Sequence, residues 1–182
     1  MNTSDHMPAD VIVFWREVGS DRWFKKDTAV DDEIRRRFLQ LHEAAAAGRL
    51  DDWQQNPEGT LALLILLDQF PRNLFRGSPR AFETDEKART IASRAILNGF
   101  DSGFGDMRTF FYLPFMHSED LADQERAIAL YRAQGNADGL KWAELHADVI
   151  RRFGRFPHRN AALGRTTTPE EQAFLDSGGF AG

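Results

Sequence analysis

An all-α fold is predicted by three features of the sequence. Apolar residues recur at helical spacing, caps and glycine stops punctuate the chain, and no run alternates β-branched with polar residues between hairpin turns. Short connections make neighbouring helices antiparallel, so the chain reads as an antiparallel array of about seven or eight helices. One domain over residues 1–182 is expected, with 1–7 disordered and 176–182 a flexible tail.

Each helix has its own signature. Val11, Phe14, Trp15 and Val18 fall at i, i+3, i+4 and i+7 of a helix that starts near Pro8 and stops at Gly19. Arg22 to Lys26 form a loop in this reading, with Trp23 and Phe24 docked on the body. From Asp27 or Asp31, either able to cap, a second helix aligns Ile34, Phe38, Leu41 and Ala45 and ends at Gly48. Trp53 follows in a short turn. Asn56-Pro57 opens a third helix whose run Leu61 to Leu67 is apolar all round, hence central to the core. Pro71 is expected to end it by Phe70.

Ser78-Pro79 repeats the cap-plus-proline start, for a helix to about Asn98 that lines up Ala81, Asp85, Ala88, Ala92 and Ala95. Asp85 thus points inward and needs a partner. After the Gly-rich loop Phe100 to Gly105, Asp106 starts a helix that Pro114 stops, and Ser118 starts the next, to Gln134 or Gly135. Ala137 to Phe153 aligns Trp142, His146, Val149 and Phe153, and Gly154 stops it. Thr168-Pro169-Glu170-Glu171 is a capping box for a short last helix.

Composition narrows the chemistry. Fifteen Phe and four Trp supply a large core, and the absence of cysteine excludes disulfides, thiolate nucleophiles and thiolate metal sites. It also suits a reducing cytoplasm, the expected location. No apolar run approaches the ~20 residues of a membrane span. The polar first residues predict no export. A net charge of -5 opposes nonspecific nucleic-acid binding.

Against that acidity, Arg151 to Arg165 holds five arginines, one histidine and no acid, and Pro71 to Arg80 holds three arginines and no acid. The segments share a Phe-Pro step and an Arg-Asn pair: Phe70-Pro71-Arg72-Asn73 and Phe156-Pro157-His158-Arg159-Asn160. Guanidinium forks match carboxylates and phosphates, so the pattern points to an anion site or to internal Arg-carboxylate pairs. Were the exits Phe70-Pro71, Pro114-Phe115 and Phe156-Pro157 to face one side, Arg72, Arg76, His117, Arg155, His158 and Arg159 would meet there, near Asp68, Asp85, Glu119 and His146. His117 and His158, in loops, are the candidate acids or bases. His146, inward on its helix, reads as a core histidine ahead of a catalytic one. His117-Ser118-Glu119 with Asp68 or Asp85 is the composition nearest a metal site, but the surrounding cations repel another, and neither metal nor other cofactor is expected.

Three blocks carry a family resemblance: Leu66 to Asn73, Phe111 to Glu119, and Arg152 to Asn160. In this order they resemble the hallmark blocks of the largely bacterial family known as domain of unknown function 924, a likeness running from Phe14-Trp15 to Phe174-Leu175. The resemblance implies a helical protein of tetratricopeptide-like superhelical architecture, and no established activity.

Three functions follow. The first is a binding module with an Arg/His-lined pocket for a small phosphate or carboxylate compound, or a peptide carboxylate; Arg72, Arg76, Arg155, Arg159, Asp68, Asp85, Glu119 and His146 would line it. The second is a metal-independent hydrolase or transferase acting on a phosphorylated metabolite, with His117 or His158 as base. The third is a helical scaffold whose arginines serve only the core. Oligomeric state is not written in the sequence, and neither nucleic acid nor membrane is an expected partner.

Overall fold

The computed structural model describes residues 7–179. Positions 1–6 and 180–182 of the expected disordered ends lie outside the described residues. Within them the chain is all-α: α1 (Pro8–Val18), α2 (Thr28–Ala46), α3 (Pro57–Leu64), α4 (Phe70–Leu74), α5 (Asp85–Leu97), α6 (Leu113–Met116), α7 (Leu121–Gln134), α8 (Ala137–Phe153) and α9 (Pro169–Asp176), joined by short 3₁₀ turns and one π-helical segment. No strand occurs among the described residues. No helix there is long and apolar enough to cross a membrane. Contacts divide the chain into two compact units, Met1–Arg76 with Arg80–Pro114, and Gly77–Pro79 with Phe115–Gly182.

The first unit is built around the Leu61 to Leu67 run, every residue of which is fully buried. Phe70 extends it, its ring 5.3 Å from Trp15, 5.3 Å from Phe38 and 6.1 Å from Phe14. Asp27, rather than Asp31, caps α2 by accepting from the amides of Ala29 and Val30. Trp23 is buried and donates its indole N–H to Trp15 O at 2.6 Å. Phe24, expected to dock, is instead 65% exposed, touching Trp23 and Phe110 along one edge.

Pro71 does not end its helix. α3 passes through a π-helical segment, Ile65–Gln69, into α4 without a break, and Pro71 lies in the first turn of α4. The wider turn makes this possible: Phe70 N–H donates five residues back, to Ile65 O. Leu66 O thereby loses its α-helical donor, and Leu67 O has none because proline has no N–H. Both carbonyls are served from elsewhere. His42 Nδ1 lies 2.9 Å from Leu66 O, and the Thr84 hydroxyl donates to Leu67 O. A carbonyl only accepts, so His42 carries its proton on Nδ1. Burial holds the His42 pKa below its usual value.

Two boundaries downstream also differ from the sequence reading. α5 begins at Asp85; Ser78-Pro79 opens no more than a single 3₁₀ turn, Pro79–Ala81. The Thr84–Leu67 bond pulls the intervening residues against the π-helical segment and interrupts the run. The helix expected from Asp106 is a 3₁₀ segment, Gly105–Phe111, and Pro114 sits inside α6. Asp101, buried just before it, accepts from Arg108 (2.7 and 2.9 Å) and from the Tyr112 hydroxyl (2.7 Å), drawing that segment tight.

In the second unit α7 and α8 form a helical hairpin, turned by Gly135 in the left-handed region (φ 73°) and by the Asn136 cap of α8. Asp120 caps α7 by accepting from Ala122 N–H; Ser118, expected in that role, accepts from Asp120 N–H and only shapes the approach. α8 spans the predicted residues, yet its buried face is Ala143, His146, Ala147, Val149 and Ile150. Trp142 lies at the edge of that arc and is 50% exposed, and Phe153 is half-buried against Phe174, 5.1 Å away. The Thr168–Glu171 capping box opens α9 as predicted. Beyond α9, Gly178 and Gly179 donate to Leu175 O and Phe174 O, which ties down the described part of the expected tail.

Replacing Thr84 by Val keeps the shape but strands Leu67 O in the core. Urea unfolding should show a loss of about 1–3 kcal/mol with an unchanged m-value; an unaltered midpoint would mean that this carbonyl needs no donor.

Candidate functional site

The first Phe-Pro exit, in the first unit, is bound up in carboxylates. Arg72 makes a bidentate pair with Asp85 at 2.9 and 3.0 Å, approaches Asp68 Oδ1 at 3.4 Å, and donates to Asp68 O. Asp68 is 1% exposed and also accepts from the Gln69 amide. One turn on, Arg76 pairs with Asp31 through Nε (2.7 Å) and Nη2 (2.9 Å), and Asn73 donates to the same carboxylate at 2.8 Å.

The exit in the second unit repeats this arrangement. Arg155 pairs with Glu171 through Nε (2.6 Å) and Nη2 (2.9 Å), and Asn160 donates to the same carboxylate at 3.0 Å. Thr168 N–H adds a further bond to it. Arg155 above all, with the Thr168 amide and Asn160, brings the buried Glu171 carboxyl down to about 2. An open groove of about 610 Å3 runs beside this pair, lined by Arg152, Phe153, Arg155, Thr168, Glu170 and Glu171.

Glu119 supplies a second anchor in the same unit. It receives both arms of Arg165 at 2.9 and 2.8 Å and the Phe156 amide at 2.9 Å. Burial pushes its pKa up, but these bonds outweigh it and hold the carboxyl below the usual range. The Phe156 ring is thus fixed where three imidazoles gather. His146 stands against it at 5.7 Å, His158 at 5.5 Å, and His117 lies 6.4 Å from His146. Arg159 lies over the same ring at 4.6 Å and donates to His117 O at 2.9 Å.

His146 is the most perturbed of these groups. Burial first, then the positive charge of His117, takes its pKa down to about 3, although the bond to Trp142 O works the other way. Nδ1 lies 2.7 Å from that carbonyl and must carry the proton, so the neutral ring keeps its lone pair on Nε2. The cluster thus comprises one neutral imidazole, two half-buried imidazoles and a guanidinium.

The predicted residues therefore fall into separate groups. Asp68, Arg72, Arg76 and Asp85 belong to the first unit; Glu119, His146, Arg155, Arg159, His117 and His158 belong to the second. Within the second, His117, His146, His158 and Arg159 come together, whereas Arg155 pairs with Glu171 and Glu119 with Arg165. Sequence reasoning missed Asp31 and Arg165 as partners, took Glu171 only as a capping residue, and assigned Asn73 and Asn160 no role. The repeated asparagine of the two exits was the available signal. Among the described residues no three His, Asp or Glu side chains are grouped to hold a metal ion.

The family profile for bacterial proteins of unknown function designated DUF924 matches residues 11–179. The chain belongs to this family. Among solved structures, this DUF924 chain is similar to a protein of unknown function, ATU0120 from Agrobacterium tumefaciens, with 48% identity and a TM-score of 0.90 over 93% of this chain and 97% of that one. No curated protein matches it.

The low His146 pKa fixes a pH response. Unfolded, the imidazole binds a proton near pH 6.5; folded, it does so only near 3, so the unfolded state holds more protons between those values. Stability is then fully present above about pH 6.5 and falls by about 1.4 kcal/mol per pH unit below it. Glu171, depressed to about 2, adds its own loss only below the unfolded carboxylate value of about 4.3. Urea midpoints at pH 6.5, 5.5 and 4.5 should decline steeply for the native chain and more shallowly for His146→Gln, with His42 supplying the remainder. Equal slopes would show that His146 is not held neutral.

Proposed function

We propose that this DUF924 protein is a binding module for a small anionic compound, a phosphate or a carboxylate, taken up by His117, His158 and Arg159 with His146 behind them. The observation that carries this reading is the gathering of two imidazoles, His146 and His158, and the Arg159 guanidinium on a single buried ring, Phe156, with His117 beside His146. A guanidinium with imidazole N–H donors beside it favours an anion, and a rigid aromatic support keeps their positions set before a ligand arrives. Arg72, Arg76 and Arg155, each in a bidentate carboxylate pair, serve the fold in this reading. Glu119 is a positioning residue, since it grips the Phe156 amide and Arg165. The reading does not require a tetratricopeptide-like concave surface.

Thermal unfolding with inorganic phosphate and with citrate tests it. A ligand at a hundredfold excess over its Kd stabilises by about 2.7 kcal/mol, a shift of several degrees for a chain of this size. His117→Gln and His158→Gln should each remove most of that shift while leaving the unliganded Tm near the native value. An unmoved native Tm at millimolar concentrations of both anions, or an undiminished shift in both variants, would overturn the assignment.

A further inference from the structure

We propose that the outer face of α8 is the contact by which two copies of this chain associate, with the two α8 helices antiparallel and centred on Leu145. Asp138, Lys141, Leu145, Asp148 and Arg152 follow one another at spacings of three and four residues and are all exposed. They form a stripe on the side of α8 opposite its buried Ala143 and Ala147. Leu145 is 43% exposed, and Trp142, 50% exposed, flanks it. Tryptophan is among the side chains most enriched where interfaces are strongest, and a half-exposed Trp beside an exposed Leu is a usable centre for one.

The order of charges along the stripe selects the occupant and its direction. Rotating the helix by a half turn about Leu145 sets Asp138 opposite Arg152 of the second copy and Leu145 opposite Leu145, and brings Lys141 within one residue's rise, about 1.5 Å, of the level of Asp148. All four charges of the stripe then meet an opposite charge, while Glu144 and Arg151, off the stripe, pair within the chain with Arg132 and Glu125. A parallel pairing in register would set like on like at all four positions, which is strongly unfavourable. In the single chain these groups are weakly engaged with one another: Asp148 and Arg152 stand 3.9 Å apart with side chains 59% and 51% exposed. Arg152 rests over Phe153 and Phe174 at about 5 Å, which orients it without covering it. One helix pair with an apolar centre of two residues per chain is a small interface, so the association is weak and concentration-dependent.

Sedimentation velocity of the full chain, from micromolar to millimolar concentration at low salt, tests the proposal. The weight-average mass should climb from the 20.7 kDa of one chain towards twice that value. Leu145→Glu should hold it at one chain throughout. Lys141→Asp alone, which sets two carboxylates face to face, should weaken association about tenfold or more. Combining Lys141→Asp with Asp148→Lys should restore it, because both cross-pairs are then reversed together. All three variants alter exposed positions, so an unchanged Tm confirms that each remains folded. A native chain that stays monomeric at every concentration, or association indifferent to Leu145→Glu, overturns the contact; a double variant that fails to recover overturns the antiparallel arrangement.

Discussion

Each Phe-Pro exit is held by one carboxylate that an asparagine and a guanidinium share. Asp31 takes Asn73 and both arms of Arg76; Glu171 takes Asn160 and both arms of Arg155. Both carboxylates stand in the first turn of a helix, α2 and α9, where the helix dipole favours negative charge. The geometry explains why the same residue types recur in the two segments: a proline leaves the chain short of one donor, and the following asparagine and a nearby arginine tie the exit to a preceding or following helix. With the exits fixed, the apolar runs beside them, Leu61 to Leu67 in one unit and Val149, Ile150 and Phe156 in the other, can stay dry. These ion pairs stand within or beside the core, where removing one partner would cost more than the pair itself contributes.

Much of this organisation can be read from the sequence wherever the determining contacts are local. The caps Asn56 and Thr168, the stop at Gly154 and the full span of α8 depend on residues within a few positions of one another. The continuation of the helix through Pro71 depends on His42 and Thr84, 24 and 17 residues from the carbonyls they serve, and no local rule names them. The same holds for the site. That Arg72 and Arg76 would need anions follows from their type and setting; that Asp31 would be one of them, 45 residues before Arg76, is a tertiary fact. Helical periodicity also fixes which way a residue points only to within the width of an arc. It put His146 inside correctly and Trp142 inside wrongly, because Trp142 falls on the margin of the buried face.

In the second unit the carboxylates and the imidazoles divide the arginines between them. Glu119 and Glu171 take Arg165 and Arg155, while Arg159 is turned to Phe156 and His117 O, on the side where His146 and His158 stand. That division accounts for the state of His146. A carboxylate against its ring would have raised its affinity for a proton, whereas burial beside cationic neighbours lowers it, so the ring is neutral at physiological pH. Neutrality has a chemical consequence. With Nδ1–H committed to Trp142 O, the ring contributes no charge, so the fixed positive charge of the cluster is the Arg159 guanidinium. Arg159 reaches this arrangement through the Phe156 ring and His117 O, so the charge that depresses His146 and the ring that buries it are held by the same residue, and the neutral state of His146 is a property of the packing of the second unit.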